Sequence, residues 1–149
     1  MIEAKDFWEY LCVDLDYRLF AGVPCIGLKC LYDKMDPRIM HYIPAAEENI
    51  ALGLVSGAFL AGMKGGILID IKNLHNILNS LCNFNLKYNI PFLVIAYAED
   101  VKFNKILSMY KIPCRNLSNN FKRDLKYITN KSEKFYIPGL ITIGKGVLI

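Results

Sequence analysis

No run of this chain is long and apolar enough to cross a bilayer. The longest uncharged stretch, Asn49 to Met63, is shorter than the ~20 residues a membrane span needs and is rich in small side chains. Charges at Glu3, Lys5 and Asp6 interrupt the first turn, so no secretory leader is expected and the cytoplasm is the expected location. The five cysteines, Cys12, Cys25, Cys30, Cys82 and Cys114, include no Cys-x-x-Cys pair and lie in apolar surroundings. That excludes a disulfide framework and reads as reduced, buried thiols. Histidine is limited to His41 and His75, neither near a cysteine pair, so no metal site is expected. The formal charge is only +4, and the lysines of the second half form no dense block interleaved with aromatics, which argues against nucleic acid as a partner. There is no repeat, linker or low-complexity segment, and 149 residues suit one domain spanning 1–149.

What the chain has in abundance is apolar side chains, 54% of the total against 21% charged. Some of its surface is therefore expected to be buried against another chain, in a homo- or hetero-oligomer. Apolar periodicity alternates between the helical and the extended kind. Residues 4–15 carry Phe7, Leu11 and Leu15 at helical spacing, and 17–23 read as a short buried strand stopped by Pro24. Helix is expected again over 26–35, strand over 39–45, helix over 47–62, strand over 66–71 and helix over 74–86. The stretch Ile90–Ala98 is almost wholly apolar, as an interior parallel strand covered on both faces should be. A helix near 101–109, a strand at 112–115, a helix over 119–130 behind a Ser118/Asn119 cap, and one or two terminal strands complete the series. Strands alternating with helices indicate a three-layer α/β/α domain around a mostly parallel sheet.

Two adjacent carboxylates, Glu47 and Glu48, open the apolar 47–62 helix. Acids favour a first helical turn because the backbone N–H groups there are unpaired and the dipole is positive. The same placement suits an acid that binds a cofactor, and the carboxylates alone do not separate the two. Gly53, Gly57 and Ala61 recur at four-residue spacing on one face of this helix, which lets another helix approach closely, either inside the chain or from a second one.

The order of the pieces is more specific. Val23-Pro24-Cys25 follows the first strand, Glu48 stands nine residues before Gly57, and Ile90-Pro91 leads into the apolar strand. Over about residues 5–98 this resembles the pyrimidine-binding (PYR) domain of thiamine diphosphate enzymes, closest to the sulfopyruvate and phosphonopyruvate decarboxylases. The resemblance implies that Glu48 is the catalytic acid that hydrogen-bonds N1′ of the cofactor's aminopyrimidine ring, with Pro24 and Cys25 beside the cofactor and a small 2-oxo acid as substrate. Glu47, ten residues before Gly57, is then solvated or capping. The resemblance also implies that the helix of Glu48 lies at an interface between domains.

Two segments depart from that pattern. Such decarboxylases carry Gln-Asn-Ser-Gly-Leu-Gly-Asn where this chain has Asp70 to Asn76, and only Leu74 and Asn76 agree. Read functionally, this is a changed substrate pocket in which Lys72, His75 and Asn76 meet the acid; otherwise the pocket no longer binds substrate and His75 lies on a helix surface. Ala98-Glu99-Asp100 replaces an Arg-Gly pair with two acids, which would repel an anionic sulfonate or phosphonate. No Gly-Asp-Gly occurs in the chain. The diphosphate and its Mg²⁺ are accordingly expected on a partner (beta) subunit, whose pyrophosphate-binding (PP) domain carries Gly-Asp-Gly and a later Asn. The chain is expected to be the alpha subunit of a two-chain decarboxylase (a lyase) that is inactive alone. The alternative is a PYR-like assembly or regulatory protein that keeps the fold without the activity.

Overall fold

In the computed structural model, which describes residues 1–99 and 108–149, the extended segments become six strands. These are β1 (Tyr17–Gly22), β2 (His41–Pro44), β3 (Lys64–Asp70), β4 (Leu93–Tyr97), β5 (Cys114–Asn116) and β6 (Gly139–Ile143). They form one sheet in the order β2-β1-β3-β4-β6-β5, and every pairing between them is parallel. The two longest apolar runs, β3 and β4, occupy the centre and are buried almost end to end, because a parallel sheet is covered on both faces. The chain's end supplies only one strand, β6, plus a single bridge between Ile2 and Leu148.

Among the described residues, the helices that cover the sheet are α1 (Ala4–Glu9), α2 (Lys29–Tyr32), α3 (Glu48–Leu60), α4 (His75–Ser80) and α5 (Phe121–Phe135). A wider π turn continues α1 over Tyr10–Asp14 and α4 over Leu81–Leu86. On one face Phe7 and Trp8 of α1 and Leu11 of its π turn join Leu28, Leu31 and the α5 residues Leu125 and Ile128 over Phe20 and Ile95. Trp8 meets Phe7 and Phe20 edge-on, and its indole N–H donates to Leu31 O at 2.9 Å, so this large ring is buried without an orphaned donor. On the other face Ala51, Leu52 and Val55 of α3 and Ile77 of α4 pack over Ile67, Ile69, Val94 and Ala96. The architecture is thus the expected three-layer α/β/α, parallel throughout.

Three local expectations differ. The second helix is shorter than 26–35: residues Ile26–Leu28 form a 3₁₀ turn and α2 ends at Tyr32, ahead of Pro37, which disfavours helix in the residue before it. The expected Ser118/Asn119 cap does not form. Asn120 is the N-cap of α5 and makes no side-chain cap bond, because the Ser118 hydroxyl is drawn to Asp124 one turn into the helix. The helix expected near 101–109 falls outside the described residues except for Ser108 and Met109, which are helical.

Close approach of β1 to β3 requires glycine at position 22. A Cβ there would lie 2.2 Å from the backbone oxygen of Leu68, which cannot swing aside. Gly22→Ala is expected to destabilise the protein by roughly 1–3 kcal/mol, the usual scale of overpacking, measured by urea denaturation. An unchanged midpoint would show that the β1–β3 spacing is looser than described.

Candidate functional site at the carboxyl edge of the sheet

From β1 the chain moves outward to β2 and then returns across to β3 on the other side. The carboxyl ends of β1 and β3 therefore flank a topological switch point, where open α/β sheets form their ligand crevices. The loops after β1, β2 and β3 all leave this edge. They carry Pro24 and Cys25, Glu47 and Glu48, and Asp70 to Asn76 respectively. The edge is held in register by Gly22 O, which accepts from Ala45 N at 2.9 Å and from the Tyr42 hydroxyl at 3.2 Å.

Glu48 is the first residue of α3 and is half-buried. Its carboxylate is gripped from across the crevice. Asn73 Nδ2 donates to Oε1 at 2.9 Å, and Asn76 Nδ2 donates to Oε2 at 3.2 Å. A second bracket lies beside it: Asn49 Nδ2 donates to Asn76 O at 3.0 Å, and the Ser80 hydroxyl donates to Asn49 Oδ1 at 2.9 Å. Together they tie the first turn of α3 to the segment after β3. Glu47, Glu48, Asn49 and Asn76 line a small cleft of about 300 Å³. Glu47 itself is the N-cap, extended and exposed, and its side chain caps nothing. The two carboxylates thus have different surroundings, and Glu48 is the structured one.

The other sequence-predicted residues share the edge but are not joined to Glu48 by any contact described. Pro24 is exposed, and Cys25 is half-buried against Tyr32 and Tyr42. Burial pushes the Cys25 thiol up, and nearby Asp70 adds to this, outweighing the N–H groups of Leu28 and Gly27 that favour the thiolate. Cys25 is therefore a neutral thiol at neutral pH, suited to packing rather than nucleophilic attack. The Tyr32 hydroxyl lies enclosed beside it. Lys72 is exposed, with its ammonium 4.0 Å from the Glu99 carboxylate, a pair too solvated to fix either side chain. Asp100, the second acid of that stretch, lies outside the described residues. His75 opens α4, and its Nδ1 donates to Lys72 O at 2.8 Å, which leaves Nε2 directed away from the bond. Asn73 is the residue that sequence reasoning missed. A signal was present: Asn73 and Asn76 stand three apart, which puts both amides on one face of a helical turn.

A larger hollow of about 580 Å³ opens beside α1, lined by Glu9, Val13, Asp14, Asp36, Arg38 and Ile39. It lies away from the switch point, and Asp36 there is tied to Arg38 at 2.7 Å. The small face of α3 is open in this chain. A Cβ at Gly53 or Gly57 would meet nothing within 4 Å, and Ile50, Leu54 and Leu60 are exposed alongside. Among the described residues nothing packs closely on these glycines.

No family model matches the chain. Among curated proteins it is similar to sulfopyruvate decarboxylase subunit alpha of Methanocaldococcus jannaschii, 34% identical over 92 residues, which cover 60% of this chain and 54% of that protein. The same subunit of Methanococcus maripaludis is 32% identical over 84 residues, covering 55% and 50%. Sulfopyruvate decarboxylase of Methanosarcina acetivorans is 32% identical over 78 residues, covering 52% and 20%. The matched region thus spans about half the length of the alpha subunits it resembles. Among solved structures, a Mycobacterium smegmatis protein assigned as a thiamin diphosphate-dependent enzyme superposes with a TM-score of 0.72 at 15% identity, over 97% of this chain and 31% of that one. At that identity the superposition speaks for the fold alone. The resemblance is therefore shown at the level of the fold and of overall sequence: this chain has the fold of a thiamine diphosphate-enzyme PYR domain and is similar in sequence to sulfopyruvate decarboxylase alpha subunits.

Proposed function

We propose that this chain is the PYR (alpha) subunit of a two-chain thiamine diphosphate-dependent 2-oxo acid decarboxylase. The observation that carries the reading is the Glu48 carboxylate, held between two amides at the switch-point crevice. The donor set fits the aminopyrimidine end of the cofactor. A carboxylate offers about four acceptor positions, and Asn73 and Asn76 take one on each oxygen, so positions remain for a ring nitrogen. When bound, thiamine diphosphate supplies the electron sink that makes loss of CO₂ from a 2-oxo acid feasible. Glu48 would hold the proton at the ring nitrogen, and Pro24 and Cys25, on the β1 loop, would border the ring. Lys72 and His75 are exposed on the same edge: the Lys72 ammonium is the donor available to the substrate's carboxylate, and His75, whose Nδ1–H is used on Lys72 O, would add a second donor at Nε2 only as the imidazolium. Among the described residues no cluster of three His, Cys, Asp or Glu side chains could hold a metal ion. In this reading Mg²⁺ and the diphosphate are assigned to a beta subunit with Gly-Asp-Gly and a later Asn. No described helix is long and apolar enough to cross a membrane, in keeping with a cytoplasmic enzyme.

The test is co-purification with such a partner, followed by calorimetric titration of thiamine diphosphate and Mg²⁺ into each chain and into the complex. Uptake by the complex alone is the expected result. A complex that assembles but takes up no cofactor would favour the assembly or regulatory role instead.

The exposed small face of α3 is where the partner, or a second copy, is expected to sit. Gly57→Leu separates the two contributions of this face because they have opposite signs. Among the described residues a Cβ at position 57 has open space around it. Leucine also favours helix over glycine by roughly 0.5–1 kcal/mol, so the isolated chain should be slightly more stable. Association, followed by light scattering, should weaken because the close backbone approach is blocked. Unchanged association would place the interface elsewhere.

A further inference from the structure

We infer that Asn73 and Asn76 are positioning residues that act on Glu48, not residues that bind the substrate. This rests on the proposed function above and deepens it. The segment from Asp70 to Asn76 is the one most altered from the decarboxylase pattern, and its polar side chains would ordinarily be assigned to a pocket wall. The geometry points elsewhere. Both amides present Nδ2 to the carboxylate, which can only accept, and each takes a different oxygen, at 2.9 and 3.2 Å. Two donors on two oxygens fix the plane of the carboxylate as well as its position, which a single donor would leave free to rotate. The donors are themselves anchored. Asn73 belongs to the 3₁₀ turn Ile71–Asn73, whose start is capped by the Asp70 carboxylate accepting from Lys72 N at 3.0 Å. The backbone of Asn76 is bound by Asn49, which Ser80 holds in turn. The clamp is therefore rigid on both sides, and it joins residues 25 and 28 positions apart in sequence. An acid that must meet one ring nitrogen gains from such fixing, since misplacement of a reacting group by about 1 Å can cost on the order of 10²-fold in rate.

The discriminating experiment is a kinetic double-mutant cycle in the assembled two-chain complex, with pyruvate-type 2-oxo acids as substrates. Asn73→Ala and Asn76→Ala should each lower kcat by about 10–100-fold while KM stays within about twofold. Asn73→Asp, which sets a carboxylate against a carboxylate, should be worse than Asn73→Ala. In a Glu48→Gln background the added loss from Asn73→Ala should be under about twofold, because the amide acts only through Glu48. An increase in KM at unchanged kcat, or fully multiplicative losses in the double variant, would overturn the inference in favour of a substrate-lining role. A second readout needs no turnover: the side-chain amide signals of Asn73 and Asn76 in the ¹⁵N-labelled chain should both move in Glu48→Gln. Signals that stay put would overturn the clamp while leaving the decarboxylase reading intact. A wild-type complex that takes up no thiamine diphosphate would overturn both.

Discussion

Glu48→Gln is expected to keep the fold and to slow proton exchange at C2 of bound thiamine diphosphate by roughly 10²–10⁴-fold, the usual contribution of a positioned acid–base group. Glutamine matches glutamate in size, so α3 and the crevice should persist. Its amide cannot reproduce the carboxylate's two roles. Only one of its two terminal atoms accepts, so the asparagine that faces the other must turn its amide over to keep a hydrogen bond, and no proton can be held at the ring nitrogen. Removing a negative charge from the first turn of α3 adds a small stability cost of about 0.3–1 kcal/mol. Glu47→Gln should be far milder, because Glu47 is exposed and its side chain makes no cap bond. Exchange must be measured by NMR with the partner chain present, since the diphosphate anchor is assigned there. If both variants exchange at the wild-type rate, Glu48 is a helix-start acid and the enzymatic proposal fails.

A large stability effect is expected at the other side of the sheet, from Arg115→Met. Asp124, in the first turn of α5, has a side chain only 1% exposed. Its Oδ1 accepts from Arg115 Nε at 2.6 Å, and its Oδ2 accepts from the Ser118 backbone N–H at 2.9 Å and from the Ser118 hydroxyl at 2.5 Å. The Arg115 guanidinium also stacks over the Tyr127 ring, 4.7 Å from its centroid. This cluster fastens the edge strand β5 to α5. Methionine would leave the buried carboxylate without its cation, and losing one partner of a buried pair costs about 3–5 kcal/mol. The lower end of that range applies, because Ser118 keeps two donors on Asp124 and Arg115 is itself 31% exposed. The effect should depend on pH in a definite direction. Burial alone would raise the Asp124 pKa, but the Ser118 donors and Arg115 together outweigh it and hold the carboxyl below its ordinary value. Its contribution is therefore fully present above the unfolded aspartate value of about 3.9 and is lost as pH falls through the lower folded value. Urea denaturation of wild type and variant should show a large gap at neutral pH that narrows in acid. A gap of equal size at both would assign the loss to packing on Tyr127 instead.

How far the sequence could be read follows from which signals are local. The runs around Ile67–Ile69 and Leu93–Ala96 are apolar at every position and short, as a strand covered on both faces is, so the two central strands and the layered class follow from run and length together. A carboxylate beside unpaired N–H groups marks the start of α3, and the distance from Glu48 to Gly57 is a count along one helix. The ends of elements were less legible. Whether Ser118 caps α5 or binds Asp124 depends on Arg115, which the β5–α5 packing delivers to the same carboxylate. Equally, spacing could put Gly53 and Gly57 on one face but could not say which way that face turns; packing of Leu52 and Val55 onto the sheet turns it outward. By itself the sequence determined the layers, the central strands and the acid at the mouth of α3, because hydrophobic period and capping chemistry act over one or two turns. Only the tertiary structure decided that Asn73 and Asn76 grip Glu48 while Glu47 faces solvent, because the crossover from β2 to β3 brings together side chains that no local period connects.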